Sequence, residues 1–216
     1  MKDIVIVGAG GLGLETAWLI EENNKIRKEY RLLGYYDDNP QSANQSGMWI
    51  KYLGFIDKLL ETNGEIYVVI AIANPRVKYQ IYQKLSKNKH ISFPNIISNR
   101  LELHKTNKIG FGNIIFSDTK ITVNIQIGNF NLIAFNTTIG HGTYIGNYNS
   151  IYPAVTISGD VNIGNFTEIG TGSNIIQQIR LKDHSIVGAG TVVIKDVPGE
   201  CTIVGSPGKL VCKVKK

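Results

Sequence analysis

Several things are scarce in this 216-residue sequence. Its two cysteines, Cys201 and Cys212, sit together near the C-terminus, which makes neither a disulfide framework nor a metal knuckle. The four histidines, His90, His104, His141 and His184, are scattered without HxxxxH spacing, which argues against a zinc site. No run of about 18 apolar residues appears, so no membrane-crossing helix is expected. The opening Met1-Lys2-Asp3-Ile4-Val5-Ile6-Val7 holds too short an apolar run for a signal peptide. Lysine and arginine exceed the acids, 23 against 17, but they are dispersed apart from a tail at Lys209, Lys213, Lys215 and Lys216. Without a dense basic run interleaved with aromatics, nucleic acid is not an expected partner. A modest basic excess suits small anionic substrates such as nucleotides. The expected location is the cytoplasm.

What is present is a period. From residue 109 to residue 198 an aliphatic side chain opens every block of six, from Ile109, Ile115 and Ile121 through Ile175 to Leu181, Val187 and Val193, giving 15 blocks with no insertion. The fifth place is mostly small or β-branched, as in Thr137, Thr143, Val155 and Val161, and glycine recurs at the second, as in Gly110, Gly128, Gly140 and Gly146. A hexapeptide period marks a solenoid of the parallel β-helix type. Three blocks make one coil of three short faces. The first residue of each block points to the axis and stacks on its equivalents, contributing roughly 1.5–3 kcal/mol when buried. Glycine and asparagine are expected at the corners for positive φ. An antiparallel β domain does not hold a period of six for this long.

The first hundred residues read differently. The apolar run Ile4–Val7 leads into Gly8-Ala9-Gly10-Gly11-Leu12-Gly13, and helical spacing follows over 14–22. Such a strand–turn–helix lets backbone N–H groups approach a phosphate at the positive end of a helix. A strand over 31–36 ends in Asp37 and Asp38, both candidates for a ribose hydroxyl. A short helix over 56–62, a buried strand over 65–73, a helix started by Asn74-Pro75 and a strand over 91–97 complete a βαβαβ unit. There is room for one mononucleotide half only, which fits a nucleotide-sugar site better than hydride transfer. The expected fold class is an α/β, Rossmann-like half domain over 1–98 followed by an all-β parallel β-helix with a C-terminal tail over 99–216.

A small nucleotide-binding domain ahead of a hexapeptide solenoid resembles the left-handed β-helix sugar acyltransferases. The group includes N-acetyltransferases of nucleotide-linked 4-amino sugars and sialic acid O-acetyltransferases. Nearly the whole chain takes part. The markers are the Gly8–Gly13 turn, Tyr36-Asp37-Asp38-Asn39, Ala71-Ile72-Ala73-Asn74, Phe93-Pro94, Ile139-Gly140-His141, and the closing Val187-Gly188-Ala189-Gly190-Thr191 and Val204-Gly205-Ser206-Pro207. The resemblance implies the left hand of the helix, a homotrimer, and acetyl-CoA as acyl donor in the groove between neighbouring solenoids, with no metal. It implies His141 as general base and the backbone N–H of Gly159, one coil on, as oxyanion donor. It places Gly8, Gly10, Gly11, Gly13, Asp37, Asp38 and Asn74 on the sugar nucleotide, and Gly159, Thr171, Ala189 and Gly205 on acetyl-CoA. The implied reaction is acetyl transfer to the amine of a nucleotide-linked 4-amino sugar in bacterial glycan or polysaccharide biosynthesis. The alternatives are O-acetylation of sialic acid or a related sugar, and a non-catalytic sugar-nucleotide-binding or assembly protein.

Two positions depart from the family pattern. Relatives carry Asp or Glu after the catalytic histidine, where this chain has Gly142, and often a histidine in the glycine turn, where it has Leu12. Asp160 lies one coil beyond Gly142. Its carboxylate could accept the ring N–H of His141, or it could be a solvated corner residue.

Overall fold

The computed structural model describes residues 1–39, 41 and 49–212; Pro40 and the tail lysines Lys213, Lys215 and Lys216 lie outside the described residues. The chain divides into two compact units, Met1–Ser98 and Asn99–Lys216.

In the first unit the elements follow as β1 (Lys2–Val7), α1 (Gly11–Ile26), β2 (Tyr30–Tyr36), β3 (Tyr52–Gly54), a 3-10 helix (Ile56–Glu61), β4 (Ile66–Ile70), α2 (Pro75–Leu85) and β5 (Ile91–Ser92). The five strands form one parallel sheet in the order β3-β2-β1-β4-β5. Ile4 to Val7, at its centre, are almost wholly inaccessible, as a continuous apolar run predicts for a strand covered on both faces. Helix α1 buries Thr16, Ala17, Leu19 and Ile20 and runs one turn beyond the expected end. The strand expected over 91–97 is two pieces, Ile91–Ser92 and Ile96–Ile97, because Pro94 has no N–H to give a ladder. At three residues, β3 is too short to show an alternation in sequence.

The second unit is a parallel β-helix. Through Val193 its strands are two residues long, and each ends on the aliphatic residue that opens a block. One face stacks Ile109, Ile127, Ile145, Ile163 and Leu181. The next stacks Ile115, Ile133, Ile151, Ile169 and Val187, and the third Ile121, Ile139, Ile157, Ile175 and Val193. The inward fifth-place residues Thr137, Val155, Thr167 and Ser173 are fully buried beside them. After Val193 the coil closes early: Val187 pairs with Ile203, and an antiparallel hairpin, Cys201–Val204 with Lys209–Cys212, caps the end. Cys201 is disulfide-bonded, a linkage not expected from the sequence; the hairpin register sets Cys201 opposite Cys212 along the backbone.

The corners are built differently from expectation. Positive φ falls on the fourth place of each block, from Gly112 to Gly190, and most of these residues are not glycine: Asp118, Asn124, Phe130, Asn136, Tyr148, Asp160, Phe166 and His184 are among them. The second-place glycines serve another end. A Cβ on Gly128 would stand 2.6 Å from the Gly146 carbonyl oxygen, and one on Gly146 2.6 Å from that of Gly164. They let coils stack closely, with the chain's φ cost met elsewhere. Two ladders steady the corner after the first face. Asn129, Asn147 and Asn165 each accept, through the side-chain oxygen, the backbone N–H of the residue 18 earlier. Phe130, Tyr148, Phe166 and His184 stack with ring centroids 5.3, 5.2 and 4.8 Å apart.

Candidate active site

His141 is third in its block, just past the strand Thr138–Ile139, so its side chain leaves the coil at the corner after the third face. The residue one coil on is Gly159, and the imidazole lies directly against it: a Cβ there would stand 2.5 Å from the ring Cε1 and 2.6 Å from Nε2. Only glycine admits the ring in this position. At the Asn-ladder corner the third-place N–H groups of Phe111, Asn129, Asn147 and Asn165 are taken by side chains. At the His141 corner no such ladder exists, and among the described residues the N–H of Gly159 has no acceptor. Gly140 lets its coil close on the peptide that carries this N–H, since a Cβ on it would sit 2.7 Å from both Gly159 N and the Ser158 carbonyl carbon. The sequence carried Gly140 only as part of a motif; its spacing of 19 residues from Gly159 hid its role.

Asp160 reaches the same corner from the coil above. Its N–H donates to the His141 carbonyl at 2.7 Å. One carboxylate oxygen is 3.8 Å from His141 Nδ1, within ion-pair reach but beyond a hydrogen bond. Both side chains are more than half exposed, at 65% and 55%.

In the first unit, the four turn glycines do different work. Gly8, at φ +115°, and Gly13 are packing positions: a Cβ on Gly8 would lie 2.7 Å from the Ala71 carbonyl oxygen, and one on Gly13 2.1 Å from that of Gly8. Gly10 and Gly11 face open space. Gly10 caps α1 without a side-chain bond, so the helix offers its first N–H groups outward. Asp37 accepts the Ala9 N–H at 2.8 Å and the Asn39 N–H at 2.8 Å, which fastens the end of β2 to the glycine turn. Asp38 accepts the Ile56 N–H at 2.8 Å. Asn74 is occupied locally: its side-chain oxygen accepts the N–H groups of Arg76 and Val77, both at 3.1 Å, as the cap of α2.

The residues expected to hold acetyl-CoA do not share a corner. Thr171 and Ala189 follow the second face one coil apart, where the Thr171 carbonyl accepts the Gly190 N–H at 2.8 Å. Gly205, at φ +94°, accepts the Val192 N–H at 3.1 Å. Gly159 follows the third face. Within one chain these positions lie on two edges of the coil. No group of three or more His, Cys, Asp or Glu side chains able to hold a metal occurs among the described residues. None of the described helices is long and apolar enough to cross a membrane.

Comparison with known proteins bears on both units. Residues 3–85 match the PglD N-terminal domain. No curated protein sequence gives a match. Among solved structures, the chain is similar to a mutant of perosamine N-acetyltransferase from Caulobacter crescentus in complex with CoA and GDP-perosamine, with 22% identity, 98% of this chain and 97% of that one covered, and a TM-score of 0.84. It is similar to the acetyltransferase domain of PglB from Neisseria gonorrhoeae in complex with acetyl coenzyme A, with 22% identity, coverage of 97% and 99%, and a TM-score of 0.88. WeeI from Acinetobacter baumannii shares 26% identity over 98% of this chain and 100% of its own, with a TM-score of 0.85. Residues 3–85 thus match the PglD N-terminal domain, and the chain as a whole shares its fold, a Rossmann-like unit followed by a left-handed hexapeptide-repeat β-helix, with the solved perosamine N-acetyltransferase and the PglB acetyltransferase domain.

Proposed function

We propose that the protein transfers the acetyl group of acetyl-CoA to the amine of a nucleotide-linked 4-amino sugar in bacterial glycan biosynthesis. The observation that carries the reading is the pairing of His141 with an unpartnered Gly159 N–H at one corner of the coil. A neutral imidazole suits proton removal near neutral pH. As the sugar nitrogen attacks the thioester carbonyl carbon, His141 takes the proton that nitrogen sheds. The carbonyl oxygen becomes an oxyanion and accepts the Gly159 N–H. Collapse breaks the C–S bond, and the leaving thiolate recovers the proton from the imidazolium. The open Gly10–Gly11 turn at the start of α1 is suited to the diphosphate of the sugar nucleotide. The solved Caulobacter enzyme, a perosamine N-acetyltransferase bound to CoA and GDP-perosamine, supports the substrate class.

The split of Thr171 and Ala189 from Gly159 supports a homotrimer, in which the corner of one copy meets another edge of its neighbour and acetyl-CoA lies in the groove. The test is release of free thiol from acetyl-CoA with UDP- and GDP-linked 4-amino sugars, against free sialic acid. Turnover with an amino sugar that falls about 10²–10⁴-fold in His141→Ala is expected. Turnover with sialic acid alone would make it an O-acetyltransferase. Binding of both ligands without turnover would make it a binding protein.

A further inference from the structure

The His141 corner contains a reciprocal arrangement that the spacing alone does not reveal. Two successive coils present the pairs His141-Gly142 and Gly159-Asp160. The His141 ring fills the space that a side chain on Gly159 would need. The Asp160 carboxylate fills the space that a side chain on Gly142 would need: a Cβ there would stand 2.0 Å from Asp160 Oδ1 and 3.2 Å from its carboxyl carbon. Each side chain therefore lies over the other coil's glycine. Two backbone bonds hold these two coils in this register, Asp160 N–H to the His141 carbonyl at 2.7 Å and Gly140 N–H to the Ile157 carbonyl at 2.8 Å.

We propose that Asp160 is the positioning residue for His141, supplied by the next coil, and that Gly142 is glycine because the carboxylate occupies its side-chain space. The inference rests on His141 being the base. Asp160 Oδ2 faces Nδ1 at 3.8 Å, and both groups are exposed enough to close that gap by side-chain rotation. Accepting the Nδ1–H holds the tautomer that leaves Nε2 free to take the substrate proton. Backbone conformation does not set the choice at 142. Its φ of +69° lies near the +60° of Asp118 and the +58° of Asn124 at equivalent places, so aspartate is tolerated there by the chain and excluded only by Asp160. The corner thus has room for one carboxylate, delivered from either coil.

The test is a transfer of the carboxylate between coils, read as kcat and as KM for each substrate. Asp160→Gly suits a backbone already at φ +56° and should lower kcat roughly 3–30-fold, less than loss of the base itself, with both KM values unchanged. Adding Gly142→Asp in that background returns the carboxylate from its own coil and should recover most of the loss. Gly142→Asp added to Asp160→Asn should not recover activity, because the amide still fills the space. Wild-type kcat in Asp160→Gly, or recovery equal in the two backgrounds, would overturn the proposal. Full activity in His141→Ala would instead remove the underlying base assignment, an outcome separable from the first. Melting temperatures measured alongside identify any variant that fails to fold, and Asp160→Asn, of unchanged shape, then carries the kcat comparison.

Discussion

Glycine does two separate jobs at the His141 corner, and the jobs predict different consequences of adding one methyl group. At Gly159 the methyl carbon would meet the His141 ring at 2.5 Å, so the ring must leave its place. Gly159→Ala should lose kcat on the scale of a removed base, about 10²–10⁴-fold, with little change in melting temperature. At Gly140 the methyl carbon would crowd the Gly159 N–H at 2.7 Å. Gly140→Ala should cost about 10²–10³-fold, the scale of a lost oxyanion donor. Thiol-release assays on both variants check this. A second residue-scale prediction concerns pH. Burial, then the neighbouring Glu168, which accepts the Tyr152 hydroxyl at 3.2 Å, push the Tyr152 phenol up to about 12. The folded state therefore keeps a proton that the unfolded chain gives up near pH 10. The stability from this group is present below that pH and is lost as pH rises from about 10 to about 12. Tyr152→Phe should flatten the melting temperature against pH in that window relative to wild type.

At the scale of elements, the side-chain ladders carry backbone groups that the two-residue strands cannot reach. Asn149 is fully buried; its side-chain oxygen accepts the Thr167 N–H at 2.7 Å and its amide donates to the Gly164 carbonyl at 2.9 Å. Asn149→Ala strands a buried N–H and should destabilise by about 1–3 kcal/mol, read as a lowered thermal midpoint. The same ladders show what sequence can disclose. The aliphatic period was legible because a side chain on the axis must repeat wherever a coil repeats, and the 18-residue relations of His141 to Gly159 and of Gly142 to Asp160 followed from it. The reason for the second-place glycines was not legible, because both positive φ and close approach favour glycine and only coordinates separate them. Asn74 looked available for a ligand, yet the following Pro75 already marked it as a helix cap. Gly140 escaped notice because its work is done on the residue diagonally above it.

The whole molecule raises the question of whether one chain holds a complete site. If acetyl-CoA bridges the Gly159 corner of one copy and the Ala189 edge of another, two inactive variants should complement each other. Co-expression of His141→Ala with Ala189→Arg should restore activity in mixed oligomers to about a quarter of wild type, since that share of grooves draws its intact halves from different copies. Sedimentation of each variant as a trimer is the accompanying check. Complementation should be absent if each chain holds its donor site alone.

The 18-residue step seen in the Asn ladder also makes length a quantised property of this protein. A deletion of one residue inside the repeat turns every later axial side chain outward, and a deletion of six rotates all later ladders onto the wrong edge. A deletion of 18 removes one storey and leaves each column intact. Excision of residues 109–126 should preserve a sharp, cooperative melt at a lower midpoint, whereas excision of 109–125 should abolish it. Insertions and losses between relatives are therefore expected in whole storeys, or in the closing hairpin after Val193, where the pairing of Val187 with Ile203 has already left the count.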